Sequence, residues 1–275
     1  MSNYPVPPPA YANPKRDQNY HSTDNQDTEP LLAGSSSGIY NQPEAGDLPD
    51  DFKYGVSVSE SAPSIRQAFI RKVYTILLVQ IFSTSVVGGI ISHSPEALSW
   101  VQSHSWAFYV PLLGTLVVLG LLFWKRHSHP WNFVLLSVFT LMEAYSLGVV
   151  VAFYNDTVVL QALLITLGVF IGLTLFTFQS KYDFSGMGPF LFATLIALVM
   201  TGFVSVFLPF NRTFDLIYAT IGCLLFSGYI VYDTYMINKR LSPDEYIMGA
   251  ISLYLDFINL FLNILRLLSD LQDSN

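Results

Sequence analysis

Residues 227–240 read SGYIVYDTYMINKR, and the first ten continue an apolar run of membrane-helix character with Asp233 inside it. An aspartate near the middle of a bilayer helix costs roughly 2.5–3.5 kcal/mol on insertion scales. Either the stretch lies outside the membrane, or the acid has a task within it. Composition favours the second reading. Of the 275 residues, 52% are hydrophobic and 12% are charged, whereas a soluble domain carries about 25% charge. Working outward, seven apolar stretches reach spanning length, about 20 residues at 1.5 Å rise. They cover residues 73–92, 107–124, 131–153, 158–178, 188–208, 216–237 and 247–268. These runs are too long and continuous for a membrane barrel, whose strands alternate. The expected fold is all-α: a polytopic membrane protein, a seven-transmembrane-helix bundle whose short connections make neighbours antiparallel.

The segment before the first run differs in kind. Residues 1–62 hold eight of the fifteen prolines, and their nine acids against three bases leave a net charge of −6. Residues 63–275 carry −1, so the acidic balance belongs to the leading segment. We read 1–62 as a disordered cytosolic tail and 63–275 as the transmembrane domain. No basic face suggests nucleic acid as a partner. The tail contains Pro8-Pro9-Ala10-Tyr11, a PPxY pattern. Its polyproline-prone backbone and tyrosine suit the aromatic groove of a WW domain, such as those of ubiquitin ligases. Asp27 precedes Leu31-Leu32 at the spacing of an acidic dileucine sorting signal. The first apolar run starts too late for a cleavable signal peptide and reads as a signal-anchor. Cys223, the single cysteine, allows no intrachain disulfide and no thiolate metal cluster.

Lysine and arginine set the expected orientation. With the tail in the cytosol, that side holds Arg66, Arg71, Lys72, Lys125, Arg126, Lys181, Lys239 and Arg240, against Arg212 and Arg266 opposite. The two Asn-x-Thr acceptors, at Asn155 and Asn211, then fall in lumenal loops. Seven spans beginning in the cytosol are not the arrangement of a G-protein-coupled receptor.

Charged groups are sparse inside the spans: Glu143 in the third, Asp233 in the sixth, Asp256 and Arg266 in the seventh. Helix rise puts Asp233 about 7 Å and Asp256 about 13 Å from the cytosolic side, within reach of each other. Ser252, Asp256, Asn259, Asn263 and Arg266 form one polar stripe, with Tyr254, Phe257, Phe261, Leu265 and Leu268 opposite. Two carboxylates a few ångströms apart in low dielectric cannot both ionise cheaply, so the pair shares a proton and titrates as a unit. Doubly ionised, it attracts a hard cation such as Ca²⁺, with Asn259 and Asn263 as neutral oxygen donors along the route. Buried polar residues in membrane helices also serve simply as interhelical links, and both readings stay open. Glu143, about 18 Å into its span, is either a pore-lining acid or a protonated packing partner. Arg266 is expected to snorkel to the interface. His127 and His129 supply two of the four ligands a zinc site needs, and no metal site is expected. Soluble-enzyme signatures are absent. Tyr232-Asp233 matches half of an intramembrane aspartyl protease signature, but Asp256 lacks the glycine context of the other half.

SIRQAFIRKVYTILLVQ (64–80), FTLMEAYSLG (139–148), GYIVYDTYMI (228–237) and AISLYLDFINLFLNILRLL (250–268) together resemble the Bax inhibitor-1 and lifeguard family. The resemblance covers residues 63–275 and not the tail. It implies a seven-helix protein of endomembranes (endoplasmic reticulum, Golgi or vacuole) that suppresses cell death and stress and leaks Ca²⁺ in a pH-dependent way. Ca²⁺ is then the transported ion, with no cofactor. The family's two-aspartate pH sensor maps to Asp233 and Asp256. Its closed-state arginine of the second span has no counterpart within that span here, and Lys125 and Arg126 at the cytosolic end are the candidate latch. The alternative is a membrane adaptor that binds cell-death or stress regulators, conducts nothing, and works through the tail motifs.

Overall fold

In the computed structural model of the chain, the described residues are 57–104, 106–208 and 211–272. Pro8, Pro9 and Tyr11, like Asp27, Leu31 and Leu32, lie outside them. The described residues form eight α-helices: α1 Pro63–Ser92, α2 Pro95–Ser103, α3 Trp106–Lys125, α4 Trp131–Val151, α5 Asp156–Gln179, α6 Gly188–Phe207, α7 Arg212–Lys239 and α8 Tyr246–Gln272. Single 3-10 turns at Ser185–Met187 and Pro243–Glu245 precede α6 and α8. All helices except α2 are long and apolar enough to cross a membrane, seven in number.

Local chemistry fixes the helix starts. Pro63 opens α1 and Pro95 opens α2, where a missing N–H costs nothing. The side chains of Ser94, Asn155 and Asn211 accept backbone N–H bonds from Ala97, Thr157 and Phe214, capping α2, α5 and α7. Ser242 and Glu245 form a reciprocal capping box ahead of α8. Helix α2 lies in the connection between the first two spans and was not expected from the sequence. Its nine residues are too few to show a reliable period, and Pro, Ser and His around them read as loop.

Helix α8 is the hub. It packs against α7, α5 and α1, and Leu253, Tyr254, Leu260 and Leu265 are fully buried or nearly so. Tyr254 exchanges a 2.8 Å hydrogen bond with Thr84 of α1 and meets the edge of Phe139 of α4. Helices α3 and α6 instead turn leucines and phenylalanines outward, as lipid contact requires. Helices α1 and α4 cross closely at Gly88 and Gly148, where a Cβ on Gly148 would lie 2.9 Å from the Gly88 backbone. One side-chain bond inside the bilayer, Gln80 Nε2 to Thr140 Oγ1 at 3.0 Å, joins the same two helices.

On the side from which α1 starts, here the tail side, several contacts converge on the α7–α8 connection. Val58, in the segment read as tail, is fully buried and donates its N–H to Leu241 O at 2.9 Å. Arg66 donates to Asn238 Oδ1 at 2.6 Å, and Lys72 Nζ stands 3.3 Å above the Tyr246 ring. Arg126 pairs with Glu245 at 3.5 Å.

Candidate functional site

The polar stripe of α8 faces a cavity between α6, α7 and α8. Ser252, Asp256, Asn259, Asn263 and Arg266 all line it, together with Asp233, Tyr218 and Tyr229 of α7. Its volume is about 630 Å³, and from Ser252 to Arg266 it follows α8 for about 21 Å. The stripe is polar because it borders this space; the opposite face, with Tyr254, Phe257, Phe261 and Leu265, is the buried core.

Asp233 and Asp256 both line the tail-side end of this cavity as neighbours. Asp256 is only 5% exposed, and its Oδ2 is buried with no hydrogen-bond partner among the described residues. Toward the tail side, Ile237, Ile247 and Ile251 are fully buried and pack α7 against α8.

Further along, Asn259 Nδ2 donates to Leu255 O and Asn263 Nδ2 to Asn259 O, each at 2.8 Å. With those donors tied to the helix's own carbonyls, the amide oxygens remain as acceptors. The Asn263 amide lies against Gly222 of α7, where any side chain would overlap it. Gly222 therefore makes room for an oxygen donor, which is more specific than close helix approach.

At the far end Arg266 has a protein partner the sequence did not indicate: it pairs with Asp215 of α7 at 2.7 Å and lies 5.0 Å from the Tyr218 ring. A partner carboxylate at the first turn of α7 offers the guanidinium a fixed site, which water at the interface does not. Arg212 bonds the Asp270 carbonyl beside it. Asp215 went unremarked in the sequence because an acid at a helix start reads as an ordinary dipole partner.

The remaining sequence candidates are dispersed. Glu143 on α4 lies near Tyr254 and does not line the cavity. Lys125 stands over the Trp124 ring, and Arg126 reaches Glu245 on the α7–α8 connection, so neither pairs directly with the aspartates. No group of three or more His, Cys, Asp or Glu able to hold a metal occurs among the described residues.

A family profile described as "Inhibitor of apoptosis-promoting Bax1" matches residues 66–273, the whole helical body. The chain belongs to the Bax inhibitor-1 and lifeguard family. Bax inhibitor 1 of Schizosaccharomyces pombe is 46% identical over 226 residues, 82% of this chain and 85% of the relative. Protein lifeguard 4 of Mus musculus is 43% identical, covering 80% of this chain and 92% of the relative. The Golgi anti-apoptotic protein of vaccinia virus is 41% identical, with 80% and 93% covered. As a Bax inhibitor-1 and lifeguard protein, the chain carries Asp233, Asp256 and the α8 stripe wholly inside the matched region.

Proposed function

We propose that this protein is a pH-sensitive Ca²⁺ leak of an endomembrane and, like the relatives whose names state it, a suppressor of cell death. The tail lies in the cytosol in this reading, and the membrane is that of the endoplasmic reticulum, Golgi or vacuole. The observation that carries the proposal is the contact of Asp233 with Asp256 at the closed end of a polar-lined cavity. While the pair shares a proton, its hydrogen bond ties α7 to α8 on the tail side. When the proton is lost, two like charges face each other in low dielectric, and the aspartates become hard oxygen ligands for Ca²⁺. The same event thus loosens the helix contact and creates the ion site. Asn259 and Asn263 offer neutral oxygens for the rest of the path.

The test is Ca²⁺ flux in proteoliposomes across pH for wild type, Asp233→Asn and Asp256→Asn. Each variant keeps a hydrogen-bonding side chain but cannot titrate, so the pH response is expected to flatten in both. Unchanged flux and pH response in both would sink the proposal. The adaptor reading, in which cell-death regulators or a WW-domain ubiquitin ligase bind the chain, rests on tail motifs outside the described residues.

A further inference from the structure

Helix α1 packs on α8 but barely touches α7. Its ties to α7 lie at the tail-side end, and one of them comes from ahead of the first helix. Residues 57–61 close on themselves as a turn. Glu60 N–H donates to Ser57 O at 3.0 Å, Ser61 N–H to Val58 O at 3.3 Å, and the Ser61 hydroxyl to Ser57 O at 3.2 Å. The turn leaves Ser59 and Glu60 exposed and sends Val58 into the main hydrophobic core, where it is fully buried. From there Val58 N–H donates to Leu241 O at 2.9 Å, just past the end of α7 at Lys239. A short turn stiffened by its own bonds thus fixes one apolar side chain and one backbone donor against the α7–α8 connection.

A second tie lies beside it. Arg66 of α1 donates to Asn238 Oδ1 at 2.6 Å, a charge-assisted bond to a residue only 3% exposed. Asn238 stands about 7.5 Å of helix beyond Asp233 on α7. Helix α1 is in turn fixed to α8, by the Thr84–Tyr254 bond and by Lys72 over the Tyr246 ring. With α1 joined to α8, α7 cannot swing away from α8 at this end while it stays bonded to α1. Asp233 rides on α7 and Asp256 on α8. Any motion that parts the two aspartates therefore pulls on Val58 and on Arg66.

We propose that the 57–61 turn, together with Arg66, is an inhibitory clasp on the ion pathway. Seated, it holds α7 against α8 and keeps the aspartate pair closed; released, it lets the leak open. The clasp rests on the leak reading given above. The test is Ca²⁺ flux in proteoliposomes of the full-length protein, at the pH where wild type conducts least. Val58→Asp places a carboxylate where an apolar side chain is fully buried and should unseat the turn. Arg66→Gln removes the second tie and leaves the turn in place. Both should raise the flux, Val58→Asp by about tenfold, the low end of what burying one valine is worth. Val58→Ala, which trims the same contact without burying a charge, should act in the same direction by less, and it carries the test if Val58→Asp does not fold. A turn that merely supports the fold would show the opposite: a lower melting temperature, with flux unchanged or reduced. That result in Arg66→Gln and in a folded Val58 variant would overturn the clasp. A rise for Arg66→Gln alone would overturn the part given to the turn. Failure of the leak reading looks different, since wild type and every variant would then match protein-free vesicles at all pH values, and the clasp would fall with it.

Discussion

Gly88 and Gly148 touch at the crossing of α1 and α4, yet they should respond oppositely to the same methyl group. A Cβ on Gly148 would sit 2.9 Å from both Gly88 Cα and Gly88 O and 3.0 Å from Ile91 Cβ. Carbon contacts are most favourable near 3.5–4.0 Å, so the two backbones must part by about 0.5–1 Å. No flexible side chain can absorb that shift, because two of the three nearest atoms are backbone. A gap of that size forfeits a quarter to a half of each neighbouring contact, and overpacking of this kind costs about 1–3 kcal/mol. The Thr84–Tyr254 and Gln80–Thr140 bonds lie along the same helix and would be stretched, so we expect about 2 kcal/mol for Gly148→Ala. On Gly88 the same methyl would find its nearest neighbour, Ala144 O, at 3.5 Å, an ordinary contact. Gly88→Ala should stay within about 0.5 kcal/mol of wild type. Reversible unfolding in mixed micelles, followed by tryptophan fluorescence, measures both. A Gly148→Ala protein as stable as wild type, or a Gly88→Ala protein equally damaged, would refute the close-crossing argument.

Further consequences can be measured alongside. Removing residues 1–62 rather than 1–56 also deletes the buried Val58 and its bond to Leu241; the difference in stability between the two truncations should reach roughly 1.5–3 kcal/mol. Asp183, on the connection before α6, is held below the usual carboxylate range by the Ser185 hydroxyl and N–H, then by Tyr235 and Arg240. A depressed carboxyl pKa adds stability above its unfolded value, and that stability is lost as pH falls through the folded one. Asp183→Asn should therefore destabilise at neutral pH and match wild type in strong acid, and equal effects at both would contradict the assignment. Replacing Arg266 and Asp215 singly and together should give a coupling energy of about 0.2–1 kcal/mol, since both are about one-third exposed; zero coupling in a double-mutant cycle would count against the pair. Asn155 and Asn211 cap α5 and α7 with their side-chain oxygens, so treatment with a peptide N-glycosidase should leave the protein's mobility unchanged. A faster-moving band would show that the caps open.

The seven spans were legible because bilayer thickness sets a length that a continuous apolar run either reaches or does not. The aspartate pair was legible for a related reason. Each acid was conspicuous in its span, and the i, i+4, i+7 spacing from Ser252 to Arg266 placed five polar groups on one face whatever the neighbours were. What that face bordered depended on α6 and α7, whose contribution is mostly hydrophobic and carries no period pointing at a cavity. Asp215 and Val58 escaped for opposite reasons. Asp215 is an acid where acids are common, and Val58 is one apolar residue in a polar segment, buried only because the α7–α8 connection lies beneath it. Arg126 was correctly placed at the tail-side end of α3, but its partner, Glu245, lies more than a hundred residues away and no local pattern links them.

The central position of α8 has a consequence for how the protein is made. The helix against which α1, α5 and α7 pack leaves the ribosome after the other six spans. Until it inserts, Thr84 lacks Tyr254 and Asp233 lacks Asp256. The six earlier spans are then a collection of helices around an absent axis, with a lone acid exposed in the membrane. Assembly of the seven-span bundle therefore waits on α8. A premature stop before residue 246 removes the axis, leaving the cell six inserted helices to clear, where a stop in a peripheral helix of another bundle would leave a weakened one.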